Sequence, residues 1–148
     1  MKISNTRLLR MLLLAITFSL ASACQFLLDD TERRAVEFIR GLTAEQADVE
    51  TLIKTAGWPS GTDPRSLLEK SGPHVSLVYV RNMQRQGATL HYSVQASTVN
   101  NDGKRQEVVV SVRESGSRTA AVAALFTLQF SLQDSGSWKL DSVATDTQ

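Results

Sequence analysis

The sequence has very little of what most catalytic and metal sites are built from. Its 148 residues include one cysteine and two histidines. No HxxxH or HExxH spacing and no paired Cys/His spacing occurs, which argues against a zinc-type site. Motifs of the GxSxG, Walker and GxGxxG types are absent as well. The sequence therefore offers no motif for catalysis, metal binding or nucleotide binding.

The sequence also lacks an apolar run long enough to cross a membrane. The run at residues 11–20 is about half the roughly 20 residues that a spanning helix needs. Three basic residues precede it: Lys2, Arg7 and Arg10. Small residues follow at positions 21–23, directly before Cys24. A basic start, a short apolar core and small residues predict a signal peptide over residues 1–23.

Cys24 stands where this leader would be cut, and it has no second cysteine to pair with. Cysteines in an oxidising compartment normally come in pairs, so this one is better interpreted as an attachment point. The segment resembles a bacterial lipoprotein signal, which implies that Cys24 is lipidated and becomes the new N-terminus. Two alternatives stay open. Ordinary signal peptidase could cut after Ala23 and leave Cys24 unmodified, or the leader could be retained as an anchor.

Lipidation at Cys24 would anchor the chain stably, since two or more acyl chains suffice for that. Residues 24–28 would form a short tether and residues 29–148 a single domain. Gln25 rather than Asp follows the cysteine, which resembles lipoproteins sorted to the outer membrane of Gram-negative cells. Loss of the basic leader takes the formal net charge from +1 to −2. A weakly acidic domain does not favour nucleic acid or an anionic membrane surface as a partner.

The first part of the domain has the pattern of helices. A capping-box pattern at residues 29–32 predicts the start of a first helix. Its apolar face, by helical spacing, is Ala35, Phe38, Ile39 and Leu42. A second capping-box pattern, at residues 43–46, predicts the start of a second helix. Apolar residues at 49, 52, 53 and 56 repeat the helical spacing, and Gly57 is placed to end this helix. A short third helix is predicted over residues 63–72.

The second part has the pattern of strands. Five are predicted, over residues 75–81, 88–99, 106–113, 119–132 and 138–143. Turn residues, including Asp102-Gly103, separate them. Short loops make neighbouring strands antiparallel, so a five-stranded meander is expected. Helices followed by such a meander predict an α+β fold, with the N-terminal helices packed on one face of a curved antiparallel sheet.

The amphipathic first helix, the long strands and the ending at residues 136–143 (GSWKLDSV) resemble the NTF2-like (cystatin-like) superfamily. The resemblance covers roughly residues 29–143 and rests on pattern rather than on a fingerprint motif. Members curl a sheet around an N-terminal helix, so the resemblance implies a cone with a pocket. Residues 57–62 leave no room for the hairpin that many members insert there.

Few residues are candidates for chemistry. His91 is the best placed for proton transfer, because it lies mid-strand beside Tyr92. Adjacent strand residues face opposite ways, however, so the two cannot line one pocket, and a solvated His91 is the favoured interpretation. His74 is expected in a loop at a strand start. Asp102 falls in a predicted turn and Asp141 near the end of the last strand, so neither is assigned a catalytic role.

Three functions fit this sequence. The preferred one is a non-catalytic envelope lipoprotein, held in the membrane through Cys24, that binds an envelope protein or a small ligand. The alternatives are an immunity-type lipoprotein inhibitor and an NTF2-like enzyme. No cofactor, metal or nucleic acid is expected. Trp58 is expected to cover a helix end, with partner contact as its alternative, and Trp138 to pack at the edge of the core.

Overall fold

The computed structural model describes three stretches of the chain, residues 29–64, 74–115 and 122–145. Of His74 and Val75 it describes the backbone alone. The predicted signal peptide, Cys24 and the tether lie outside the described residues, as does most of the predicted third helix. The helices are α1 (Asp30–Thr43), α2 (Val49–Ala56) and α3 (His74–Arg85). The strands are β1 (Leu90–Val99), β2 (Arg105–Glu114), β3 (Val122–Leu132) and β4 (Trp138–Thr145).

The described residues have an α+β fold, as the sequence predicts. The four strands form one antiparallel sheet in the order β1-β2-β3-β4. We call the face that packs against the helices the inner face and the opposite one the outer face. Side chains of the inner face are buried in the core with those of the helices; the largest from the sheet are Phe126, Leu128, Phe130 and Leu140.

The prediction of a fifth strand over residues 75–81 is wrong, because this segment belongs to α3. Its β-branched and aromatic residues favour a strand by local propensity. Leu77 and Val80 nevertheless lie three residues apart and are buried, while Val78 and Tyr79 between them are exposed. That burial has the period of a helix, and tertiary packing of one face overrides a weak local preference.

Helix α1 begins and packs as its sequence predicts. The Asp29 carboxylate accepts from the Glu32 backbone N–H at 2.7 Å, and the Glu32 carboxylate accepts from the Asp29 N–H at 3.1 Å. This reciprocal capping box satisfies two N–H groups that a helix start leaves without partners. The predicted apolar face is buried: Ala35, Phe38, Ile39 and Leu42 are each no more than 3% exposed.

Helix α2 starts later than its predicted capping box. Thr43 is the last residue of α1, and its hydroxyl donates back to the Ile39 carbonyl at 2.9 Å. Asp48 is the N-cap of α2 instead, and its carboxylate accepts from the Glu50 N–H at 3.1 Å. The prediction of a capping box at residues 43–46 is therefore wrong. Gly57 ends α2 in the left-handed conformation, as its position predicts.

A bulge in β1 changes which of its residues face the core. The pairing with β2 shifts between Val94 and Ala96, so Gln95 is the extra residue. After a bulge the alternation of faces is inverted. Ala96 therefore shares the outer face with Val109, and Ser97 shares the inner face with Val108. A strand without a bulge, which the sequence pattern suggests, would put these two residues on the opposite faces.

Candidate ligand cleft at the turn end of the sheet

Both described hairpin turns of the sheet lie at the same end. The β1–β2 turn covers residues 100–104 and the β3–β4 turn covers residues 133–137. We call this the turn end. The residue pair that follows α2 also reaches it, since the Trp58 indole donates to the carbonyl of Leu140 near the start of β4.

An open cleft of about 600 Å³ lies across the outer face near the turn end. Its floor is one row of polar residues, one from each strand. The strand register aligns them in the order Thr98, Glu107, Gln129 and Ser142. The other lining residues are Asn100, Arg105, Gln106, Phe130 and Asp141. The cleft thus depends on all four strands.

Hydrogen bonds across three strands orient the floor of the cleft. The Ser142 hydroxyl donates to Gln129 Oε1 at 3.2 Å. The Gln129 Nε2 in turn donates to Glu107 Oε2 at 3.4 Å. The Gln129 amide is thereby held with its oxygen toward β4 and its nitrogen toward β2. A polar ligand would meet these groups already oriented, which lowers the entropic cost of binding.

The charged groups of the cleft have opposite signs. Arg105 contributes a guanidinium, and Glu107 and Asp141 contribute carboxylates. All three residues are exposed, so their charges stay hydrated when no ligand is bound. The lining offers both donors and acceptors and has a formal charge of −1. It is chemically suited to a polar ligand with several hydrogen-bonding groups, or to a polar segment of a protein.

Asp141 reaches the cleft because of a second irregularity. Gln129 pairs with Ser142 and Phe130 pairs with Leu140, so Asp141 is an extra residue in β4. The expectation that Asp141 lies near the end of the last strand is wrong, since β4 continues to Thr145. Asp141 lies mid-strand among the polar groups of the cleft.

The other residues considered for chemistry are not brought together. His91 is exposed on the outer face and pairs with Arg113. Tyr92 faces the other way, and its hydroxyl lies 2.7 Å from that of Thr43, so the two neighbours are separated as predicted. His74 is the first residue of α3, so its expected place at a strand start is wrong.

Asp102 lies in the β1–β2 turn, as predicted. Its carboxylate accepts from the Lys104 backbone N–H at 2.8 Å, which serves the turn itself. Within the three described stretches, no group of three or more His, Cys, Asp or Glu residues is placed to hold a metal ion. None of the helices described is long and apolar enough to cross a bilayer.

The two tryptophans are structural. Trp58 is 8% exposed, its indole N–H donates to the Leu140 carbonyl at 2.6 Å, and its ring meets Phe38 edge-on at 5.6 Å. It closes the end of α2, and its burial argues against partner contact. Trp138 is half-buried at the margin of the core, as predicted.

No family model and no curated protein matches the chain. One solved structure that it resembles is the intermembrane space region of the chloroplast protein ARC6. The match has 17% sequence identity and a TM-score of 0.37, and it covers 79% of this chain and 97% of that one.

Proposed function

We propose that this protein is a non-catalytic, lipid-anchored module of the bacterial cell envelope. Residues 1–23 would be removed, Cys24 would carry the lipid, and residues 29–148 would form the binding domain. The order of features around Cys24 supports the anchor. In a Gram-negative host, Gln25 after the cysteine favours the periplasmic face of the outer membrane.

The observation that carries the binding role is the cleft at the turn end. Its floor is oriented by the bonds from Ser142 to Gln129 and from Gln129 to Glu107. Its ionisable groups are exposed rather than enclosed, which suits reversible recognition of a polar surface. We therefore propose that the cleft binds a polar small molecule or a polar segment of an envelope protein.

For the fold we propose membership of the NTF2-like superfamily. Support comes from α1, which lies against the inner face of an antiparallel meander and buries its apolar side there. The family's pocket lies inside its cone, between sheet and helix. The cleft described here lies on the outer face, so the proposed ligand site is this chain's own and is not carried over from the family.

The anchor is tested with Cys24→Ser. We expect the parent protein to sediment with the membrane fraction and, after solubilisation, to partition into the detergent phase. The variant should be exported in soluble form or retained as uncleaved precursor. Ser22→Ala, which keeps the small residues before the cut, serves as the control and should behave like the parent. Soluble export of the parent at the same level as an exported Cys24→Ser would contradict lipidation.

The cleft is tested by site-specific photocrosslinking in cells. A photoreactive amino acid at Thr98 should give a discrete adduct, and the same residue at His91 should not, because His91 lies outside the cleft lining. Adding Gln129→Ala should weaken the adduct from Thr98. Equal adducts from both positions would exclude the cleft as the binding site.

The enzyme alternative is tested with His91→Ala. A large loss of any measured activity in this variant would favour that alternative.

A further inference from the structure

We propose that the turn end of the sheet is the surface that lies against the lipid headgroups of the anchoring membrane. This inference rests on the proposed lipidation of Cys24. It goes further, because it assigns the domain an orientation and places the cleft next to the bilayer. The surface consists of the β1–β2 turn, the β3–β4 turn and the first residues of α1.

The first observation is the position of Asp29, the residue directly after the proposed tether. Asp29 is fixed to the sheet as well as to its own helix. Its Oδ2 accepts from Gln106 Nε2 at 2.7 Å, while its Oδ1 caps α1. Gln106 is only 3% exposed and also donates to Ser97 Oγ at 3.0 Å. The tether therefore leaves the domain beside the start of β2, at the turn end.

The second observation is the reach of the tether. Cys24 and Asp29 are five positions apart, which allows roughly 18 Å at no more than about 3.5 Å per residue. The opposite end of the sheet carries the α3–β1 turn at Gln86 and Gly87. It is separated from the turn end by the length of β1, ten residues or about 33 Å. A bilayer reached by this tether is thus much closer to the turn end.

The sequence of the tether strengthens this argument. Phe26, Leu27 and Leu28 stand between Cys24 and Asp29. Apolar side chains next to an acyl anchor favour the boundary between headgroups and acyl chains. Their partition into that boundary would shorten the effective distance between Asp29 and the membrane. The tether is in this respect unlike the polar, Gly/Ser-rich linkers that let a domain move freely.

The chemistry of the turn end fits a headgroup surface. The β1–β2 turn exposes the polar side chains of Asn100, Asn101, Asp102 and Lys104. The β3–β4 turn is similarly polar, with exposed residues at 134–137. These side chains remain solvated among headgroups at little cost. The lipid anchor rather than net charge would hold the orientation, since the charges here have both signs.

The orientation limits what the cleft can bind. Asn100 and Arg105 belong to the turn end and also line the cleft. The cleft would thus open near the end of the sheet that a tether of roughly 18 Å holds beside the headgroups. A ligand with its polar part exposed at the surface of the same membrane would meet it directly. The orientation therefore favours a membrane-borne ligand over one diffusing freely in the periplasm.

The experiment uses the full lipidated protein in vesicles of phosphatidylethanolamine and phosphatidylglycerol that contain a headgroup-labelled acceptor lipid. A thiol-reactive fluorophore is attached at Asn101→Cys, in the β1–β2 turn. The matched variant is Gln86→Cys, in the α3–β1 turn at the other end. Both positions are exposed, and Asn101 does not adopt a positive φ. We expect energy transfer to the membrane to be severalfold stronger from position 101.

Equal transfer from the two positions, or stronger transfer from position 86, would overturn the proposed orientation. The parent protein separates this failure from failure of the anchor. An acylated Cys24 has no free thiol, so the parent should not take up the dye. Labelling of Cys24 in the parent, together with loss of vesicle binding, would instead show that lipidation fails. A second pair of labelled variants, Ser135→Cys in the β3–β4 turn and Arg85→Cys at the end of α3, should show the same order, with stronger energy transfer from position 135.

Discussion

At the scale of single residues, Trp58 has a definite structural role. Its indole N–H reaches the Leu140 carbonyl at 2.6 Å, and its ring packs on Phe38. Trp58→Phe would keep an aromatic ring but leave that buried carbonyl without its donor. We expect a loss of about 1–3 kcal/mol in the free energy of unfolding, the usual cost of an unsatisfied buried group. Urea denaturation followed by circular dichroism measures it.

Trp138→Phe is the matched control, because Trp138 is half-buried and packs only at the core margin. Trp138→Phe should lower the free energy of unfolding clearly less than Trp58→Phe does. Similar losses in the two variants would show that ring volume, rather than the bond to Leu140, is what matters at position 58.

Asp48 gives a residue-scale prediction about pH. The hydroxyl of Thr51 donates to its carboxylate, and with the backbone N–H groups of Thr51 and Glu50 this holds the pKa of Asp48 below its usual value. A lowered folded-state pKa contributes stability above the unfolded pKa, and that stability is lost as the pH falls through the folded one. The advantage of the parent over Asp48→Asn should therefore be complete at neutral pH and vanish in strong acid.

Urea midpoints measured from neutral to acid pH would test this. Asn can still cap the helix, so the comparison isolates the charge. Glu45→Gln removes a carboxylate outside the cap and serves as the control for a general effect of charge. A difference in urea midpoint between the parent and Asp48→Asn that stays constant across the acid range would contradict a stabilising role for the ionised Asp48.

At the scale of elements, the end of α2 depends on Gly57. Its φ is +70°, and an added Cβ would lie 2.7 Å from the Trp138 carbonyl oxygen and 2.8 Å from a nitrogen of Arg34. That guanidinium also donates to the Thr55 and Trp138 carbonyls, so it cannot easily move aside. Gly57→Ala should cost about 1–2 kcal/mol from left-handed backbone strain and about 1–3 kcal/mol more from the clash.

Gly87→Ala is the control for the backbone component alone. Gly87 also has a positive φ, +86°, but nothing lies within 4 Å of its added Cβ. Gly87→Ala should therefore lose only the stability that left-handed backbone strain costs, about 1–2 kcal/mol. Equal losses at both positions in thermal unfolding would indicate that the contacts of Arg34 and Trp138 relax freely around position 57.

Elements with strong local signals could be predicted from sequence. The capping box at Asp29 and the spacing of the apolar residues after it predict α1, and turn residues that include glycines predict the breaks between the four strands. The sequence does not predict α3, because residues 75–81 include the β-branched side chains typical of a strand, while the helical burial pattern of residues 77–80 exists only in the folded protein. Only the core that Leu77 and Val80 contact decides between the two. Local sequence cannot supply that information.

At the scale of the whole molecule, the cleft depends on the register of all four strands. Thr98, Glu107, Gln129 and Ser142 lie on four different strands and form one row only after all four have paired. The bulges at Gln95 and Asp141 shift that alignment by one residue each. Polar alternation predicts which residues face solvent. It does not predict which of them form one row, so the candidate site could not be derived from the sequence.

The link between α1 and the sheet also acts at this scale. Asp29 caps the helix and accepts from Gln106, which is buried in β2. A displacement of the tether would therefore be transmitted both to α1 and to the sheet. If the hydrogen bond between Gln106 and Asp29 couples α1 to the sheet, the changes that Asp29→Ala and Gln106→Ala cause in the free energy of unfolding should not be additive. We expect a coupling energy of about 0.5–1.5 kcal/mol, the usual net value of one hydrogen bond.

A double-mutant cycle by urea denaturation measures this coupling. Asp48→Ala combined with Gln106→Ala is the matched control, because Asp48 caps α2 through Glu50 and Thr51 instead. The control pair should be additive. Additivity in the Asp29–Gln106 pair as well would mean that α1 is capped independently of the sheet. The exit point of the tether would then be free to move away from the turn end, and the membrane-facing orientation would lose its structural basis.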